Sequence, residues 1–446
     1  MNPAVHVYCG PTISAAAAAA LVPGAAVHPP VRHGDLLRLD PVPGMTVVII
    51  DGVFGEVPAV RHKEILWLLA HGAAVAGAAS MGALRAAELY PFGMAGVGQI
   101  YRAYRDGALA GDDEVAVACA PGDWRPVSVA LADVRAELAA AAAVGAVDQA
   151  EAAAIAGRAA SIHYAARTWP AVAAAARPGL AAAIGRLSRW RADTAPVPAK
   201  LADARQALRL AAAGRLGPPG PLPWAAGRWG SCQLQDWLAA YHGEVIDGVH
   251  VPFRSVLAHQ QLYDPGWPGR WRRHVLSWVA RSAGPARYGT AAAAARAAGL
   301  DVADLAPAQA RYWLTPAETA TLDAGEQLAR ILTRAVPQDP AALVWPVTAA
   351  QAGRLINPAL GSGQAAARAA VIAGQVAGTG PYRQLGDLRA DLIREHLAAA
   401  WQVRPDDEPA LAAAARDRGF ASPGAAVAAA RPFFLLAAAT AAGAAR

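Results

Sequence analysis

Over the first 125 residues, short unbroken apolar runs alternate with segments that repeat every three to four positions. "AVHVYCG" (4–10), "AAVHPPV" (25–31), "MTVVIIDG" (45–52), "AAVAGAAS" (73–80) and "EVAVACA" (114–120) read as buried strands, because a strand covered on both faces shows no polar alternation. Between them, "ISAAAAAALV" (13–22), "AVRHKEILWLLAHG" (59–72) and "MGALRAAELY" (81–90) read as helices. The second carries Val60, Ile65, Leu66, Leu68 and Leu69 on one face, and the third places Met81, Leu84 and Leu89 at helical spacing. This order predicts an α/β domain with a doubly wound, mostly parallel sheet and right-handed crossovers.

Beyond the alternation the pattern is helical. Alanine-rich helices fill 128–190, with Tyr164, Trp169 and Trp190 as expected anchors against the sheet. "RADTAPVPAK" (191–200) and "LGPPGPLPW" (216–224) read as linker. The expected organisation is an α/β core over 1–190, a Pro/Gly-rich linker over 191–228 and a mainly helical accessory or docking domain over 229–446. In the last, Trp237, Trp271 and Trp278 fall at core-like positions. "HGEVIDGVHVPF" (242–253) has the glycines and valines of a hairpin, and its His242, Glu244, Asp247 and His250 are read that way rather than as a metal site.

Charge sharpens the division. Up to residue 190 there are 14 Lys and Arg against 15 Asp and Glu; after it there are 26 against 19. "RWRR" (270–273) is the densest basic cluster, suited to an acidic partner. No nucleic-acid reader motif accompanies it, so it is read as a solvated face rather than a nucleic-acid site. Arginine outnumbers lysine 38 to 2, so Lys63 stands out: an ordinary surface cation here would be arginine. Cys9, Cys119 and Cys232 share no metal-ligand spacing and suggest a reducing, cytoplasmic setting. The uncharged stretch 1–31 lacks the positive start of an export signal and is broken by Pro23 and Gly24. No apolar run elsewhere is long enough to span a bilayer. Neither metal nor cofactor is expected, and no P-loop is present.

In a doubly wound sheet, ligands bind beyond the carboxyl ends of the strands. The loops expected there, "GPT", "RHGD", "DGVFGEV" and "SMGA", hold nearly all the unusual polar residues of this half. Ser80 sits at a strand-to-helix turn. It is either a cap for the helix that follows or the nucleophile of an elbow resembling G-x-S-x-G, in which Ala78 replaces the first glycine. As nucleophile it needs a base, for which Lys63 and His62 are candidates, and oxyanion donors, for which the amides of Met81 and Gly82 and of the "GPT" turn (Gly10, Thr12) are candidates. Arg32, Asp35, Gly52 and Arg85 complete the expected tail-binding loops, although Arg85 and Glu88 are also spaced for a local ion pair. Asp51 or Glu64 activating a water, with Ser80 only positioning the substrate, is a competing arrangement.

"GPT", "PPVRHGDL", "IIDGVFGEVPAVRHKEIL", "GAASMGALRAAELYPFGMAGVGQI" and "AYRDGALAGDDEVAV" together resemble the TfuA-like core family, the partner proteins of YcaO enzymes in peptide backbone thioamidation. The resemblance runs over about residues 5–120, in order. It implies hydrolysis of the C-terminal thiocarboxylate of a ubiquitin-like sulfur carrier, delivery of sulfide to YcaO, and help in engaging the precursor peptide. The helical half is then expected to dock YcaO, the peptide or a second copy of the chain. Two other classes stay open: a non-catalytic subunit that binds and activates YcaO, and an unrelated serine esterase.

Overall fold

The computed structural model describes residues 4–53, 55, 57–120, 122–217, 220–226, 229–282, 290–376 and 384–444. They form two compact units, residues 1–229 and 230–446.

The first unit is built on five parallel strands: β1 (Val5–Tyr8), β2 (Ala26–His28), β3 (Thr46–Ile49), β4 (Ala74–Ala78) and β5 (Ala95–Val97), in the order β2-β1-β3-β4-β5. The direction of strand addition reverses between β1 and β3, the switch point at which folds of this kind take ligands. Helix α1 (Ala15–Leu21) connects β1 to β2, α2 (His62–Ala70) connects β3 to β4, and α3 (Met81–Leu89) connects β4 to β5. Val7, Val48, Ile50 and Ala78 share one buried cluster with α1. The approach of α3 to the sheet requires glycine: a Cβ on Gly82 would lie 1.8 Å from the Ile49 carbonyl oxygen.

Two expectations for this half change. "EVAVACA" is not a strand. Asp112–Glu114 is a turn of 3-10 helix, and the segment after it joins no sheet, its β-type pairing being an isolated antiparallel bridge between Cys119 and Pro126. The fifth strand is Ala95–Val97, within "GMAGVGQ", too short and too glycine-rich to show as an apolar run. After α4 (Gln99–Arg105), helices α5 (Leu131–Ala143), α6 (Gln149–Ala160), α7 (Trp169–Ala174) and α8 (Ala181–Thr194) follow. Trp169 and Trp190 do not anchor them to the sheet. They pack with Leu131, Leu138, Ile155 and Leu187 in a cluster of the helices' own.

The expected linker is the larger correction. Residues 199–212 form α9 (Ala199–Ala212), whose Ala204, Ala207, Leu208 and Ala211 are buried against Val7, Val48 and Ile50. It covers the same face of the sheet as α1. Pro196 and Pro198 stand before this helix rather than marking a flexible tether, since proline is accommodated at and before helix starts. Pro218 and Pro219 lie outside the described residues.

The second unit opens with α10 (Cys232–Tyr241), the antiparallel hairpin β6 (Gly243–Ile246) and β7 (Val249–Pro252), α11 (Phe253–Tyr263) and α12 (Trp267–Ser282). Asp247 and Gly248 turn the hairpin with φ of 51° and 78°, the two left-handed positions that a tight two-residue turn needs. Trp267 and Trp271 are fully buried, and Trp345 stacks on Trp271 at 4.1 Å. Trp237 and Trp278 are half-buried.

Candidate active site

Asp51 leaves β3 at the point where the strand order reverses, and it is 1% exposed. One carboxylate oxygen accepts the Gly10 and Thr12 amides at 2.9 and 3.0 Å, and the other accepts the Thr12 hydroxyl at 2.6 Å. The amides of the "GPT" turn are therefore engaged by Asp51 and do not point at a ligand. Gly52 continues the pinning: Val31 and Gly52 form a parallel bridge, and a Cβ on Gly52 would meet the Met81 side chain at 2.7 Å.

Glu64 does the same for the next loop. Fully buried in the first turn of α2, it accepts from the His33 ring at 2.7 Å, the Gly34 amide at 2.9 Å and the Arg61 amide at 3.0 Å. Burial pushes its carboxyl up from the usual range, while these donors hold it down. Asp35 takes the Arg32 amide at 3.0 Å and closes the "RHGD" turn on itself, leaving the Arg32 side chain exposed. Both expected water-activating carboxylates thus hold loops in place.

Ser80 is built differently. Its amide bonds back to the Ala78 carbonyl at 2.8 Å, closing a three-residue turn around Ala79, whose φ is 67°. A left-handed alanine at such a turn stores backbone strain. The Ser80 side chain makes no capping bond to α3, so the cap reading falls away. Its hydroxyl instead reaches the Val115 carbonyl at 3.5 Å. Of the two amides proposed after it, Gly82 is engaged by the Ile50 carbonyl at 3.2 Å. Met81 supplies the first-turn amide next to Ser80, a group that a helix leaves without an internal partner.

The Val115 carbonyl has a second donor. Lys200 Nζ, on α9, lies 2.8 Å from the same oxygen, and the residue is 4% exposed. Its own amide is fixed by Asp133 of α5 at 2.9 Å. One turn on, Asp203 takes the Gln99 and Ile100 amides at 2.9 and 2.8 Å and locks α9 to the start of α4. Ser80 and Lys200 therefore converge on one acceptor, beside the hairpin-like loop that ends in the Cys119–Pro126 bridge.

The bases expected from the sequence face elsewhere. Lys63 donates to the Trp229 carbonyl and lies 5.5 Å over that residue's ring. Trp229 packs on Trp224, whose indole donates to the Phe92 carbonyl at 3.2 Å, past the far end of α3. His62 pairs with Glu88 at 2.8 Å, and Arg85 reaches the same carboxylate at 2.6 Å and the Val60 carbonyl at 3.2 Å. Glu88 stands eight residues after Ser80, about 12 Å along the helix axis.

Two thiols lie near this site, and neither is activated. Burial, with the Asp51 charge adding to it, pushes Cys9 up to about 12. Burial and Asp51 likewise raise Cys119, with Lys200 opposing. Among the described residues no group of three or more His, Cys, Asp or Glu is placed to hold a metal ion, and no helix is long and apolar enough to cross a membrane.

Lys200 was legible only by rarity. The argument that singles out Lys63 among 38 arginines applies equally to the other lysine, which sits at the end of the supposed linker "RADTAPVPAK".

No curated protein matches the chain. Residues 51–168 match the family model described as TfuA-like protein. That span contains Asp51, Lys63, Glu64, Ser80, Val115 and Asp133, and ends before Lys200. Over these residues the chain is similar to the TfuA-like family.

Proposed function

We propose that the first unit hydrolyses the C-terminal thiocarboxylate of a ubiquitin-like sulfur carrier, delivering sulfide to a YcaO enzyme that thioamidates a peptide. The observation that carries this reading is the convergence of Ser80 and Lys200 on the Val115 carbonyl. Ser80 Oγ attacks the thioacyl carbon while its proton passes to the Lys200 amine, and the Met81 amide receives the developing oxyanion. Lys200 hands that proton to the departing sulfur, so breaking the C–S bond releases hydrosulfide and leaves the carrier esterified to Ser80. Water then attacks the ester, its proton passing through Lys200 to the Ser80 oxygen, which frees Ser80 and releases the carrier carboxylic acid, whose proton goes to solvent. A strained turn holds the serine in place without a side-chain hydrogen bond to its own helix, which is the purpose such a turn serves in hydrolase elbows.

A non-catalytic grip on the carrier tail is the second reading, favoured by the closure of Ser80, which is 7% exposed. The two separate in one experiment: sulfide release from thiocarboxylated carrier with YcaO omitted. Hydrolysis predicts turnover that Ser80→Ala and Lys200→Met each abolish. A binding subunit releases no sulfide under these conditions.

A further inference from the structure

The basic cluster of the sequence has a structural counterpart in the second unit. Arg270, Arg273, His274, Ser277 and Arg281 form one stripe along α12, and Arg354 faces them across a cleft of about 440 Å³. No Asp or Glu lines that cleft among the described residues. The stripe spans residues 270–281, about 16 Å along the axis. Its first turn is anchored. Arg270 pairs with Asp264 and donates to the Leu355 carbonyl at 2.9 Å, joining the cleft's two walls. His274 donates to the Val344 carbonyl at 2.8 Å and stacks on the buried Trp271.

The two faces of α12 differ in pairing. Arg272, turned away from the cleft, is held by both oxygens of Glu326 at 2.6 Å. On the cleft side, no ion pair joins Arg273, Arg281 or Arg354 to a carboxylate among the described residues; Arg281 meets only the Ser277 hydroxyl. Arg273, Arg281 and Arg354 are exposed. Like charges gathered this way repel one another, and a ligand that brings negative charge relieves the repulsion.

We infer that this cleft binds an extended acidic peptide segment. Planar guanidinium groups take carboxylates in a two-pronged fashion, and about five extended residues cover the length of the stripe. Among the described residues no Phe, Tyr or Trp ring lines the cleft, and the His274 ring is already stacked on Trp271, so the cleft offers a nucleobase little to stack on. The inference concerns the second unit and does not depend on hydrolysis at Ser80.

The test is fluorescence anisotropy of a labelled hexaglutamate peptide with the full chain, at low and high salt. The peptide should bind and weaken as salt rises. Arg273→Glu with Arg354→Glu should lower affinity at least tenfold and create binding to a hexalysine peptide, with an unchanged melting temperature because both side chains are exposed. Arg354→Gln alone, a milder change, should lower affinity several-fold. Absence of binding by the unaltered chain, or equal binding by the variants, overturns the inference. So does displacement of the peptide by inorganic phosphate at comparable concentration, which would reassign the cleft to phosphate.

Discussion

If Asp51 serves the "GPT" turn rather than a water molecule, its charge and its shape contribute separately, and two substitutions resolve them. Asp51→Ala removes the acceptor of two amides and a hydroxyl. Hydrogen bonds to a charged acceptor contribute about 1.5–3 kcal/mol each, and partial rescue by water brings the loss to roughly 3–5 kcal/mol. For a unit of this size that corresponds to a melting temperature lower by about 10 °C. Asp51→Asn keeps an oxygen toward both amides and presents its NH2 to the Thr12 hydroxyl, which can rotate to accept. The expected cost is about 1 kcal/mol, the difference between a charged and a neutral acceptor. Sulfide release by the asparagine variant should stay within a few-fold of the unaltered protein. Thermal unfolding followed by circular dichroism, beside a sulfide assay on the same samples, measures both quantities. An asparagine variant that melts normally but loses sulfide release a hundredfold or more would refute this reasoning and make Asp51 the general base.

Lys200→Arg should be as inactive in sulfide release as Lys200→Met, because guanidinium cannot be deprotonated in a protein, whereas Lys63→Ala should keep most of its turnover; the reverse pattern in a kcat comparison moves the base to Lys63. Ala79→Gly should raise stability by about 0.5–1 kcal/mol, since glycine adopts the left-handed conformation without strain, while Ala79→Val lowers it; equal melting temperatures for all three would show that the turn is unstrained. Cys9 should resist alkylation in the native protein at mildly alkaline pH and react only on unfolding. Its folded value of about 12 lies above that of an ordinary thiol, so the stability it contributes is present below the ordinary value and is lost as pH rises toward 12; rapid labelling of Cys9 in mass spectrometry of the folded chain would contradict its burial.

Strands β1, β3 and β4 were legible because they are buried on both faces and therefore read as unbroken apolar runs, and β2, half-buried at the sheet's edge, showed as a short apolar piece before prolines. "EVAVACA" has the same composition but no neighbouring strand edge to pair with, and composition alone does not show that. In the site, Ser80 stood out because a hydroxyl among small residues at a strand-to-helix change is visible locally. Lys200 did not, because the carbonyl it bonds, that of Val115, is 85 positions away and its surroundings, alanine and proline, look like spacer. Asp51 and Glu64 stood out by their position at strand and helix ends, but their partners did not: whether a carboxylate faces amides or open space depends on how distant loops fold back on it.

The placement of α9 also sets a clock on the protein's own making. At about 5–20 residues per second, the ribosome adds Lys200 some 6–24 seconds after Ser80. Throughout that interval the serine's turn can exist, but the amine that shares the Val115 carbonyl with it does not, and one face of the sheet has α1 without α9 to cover it. On the proposed mechanism, a nascent or prematurely ended chain is therefore expected to be inert toward an acyl donor, because the helix that helps seal the sheet also carries the base. Quality control and activation would then coincide, with a molecule that has failed to close its core also lacking the partner of its serine.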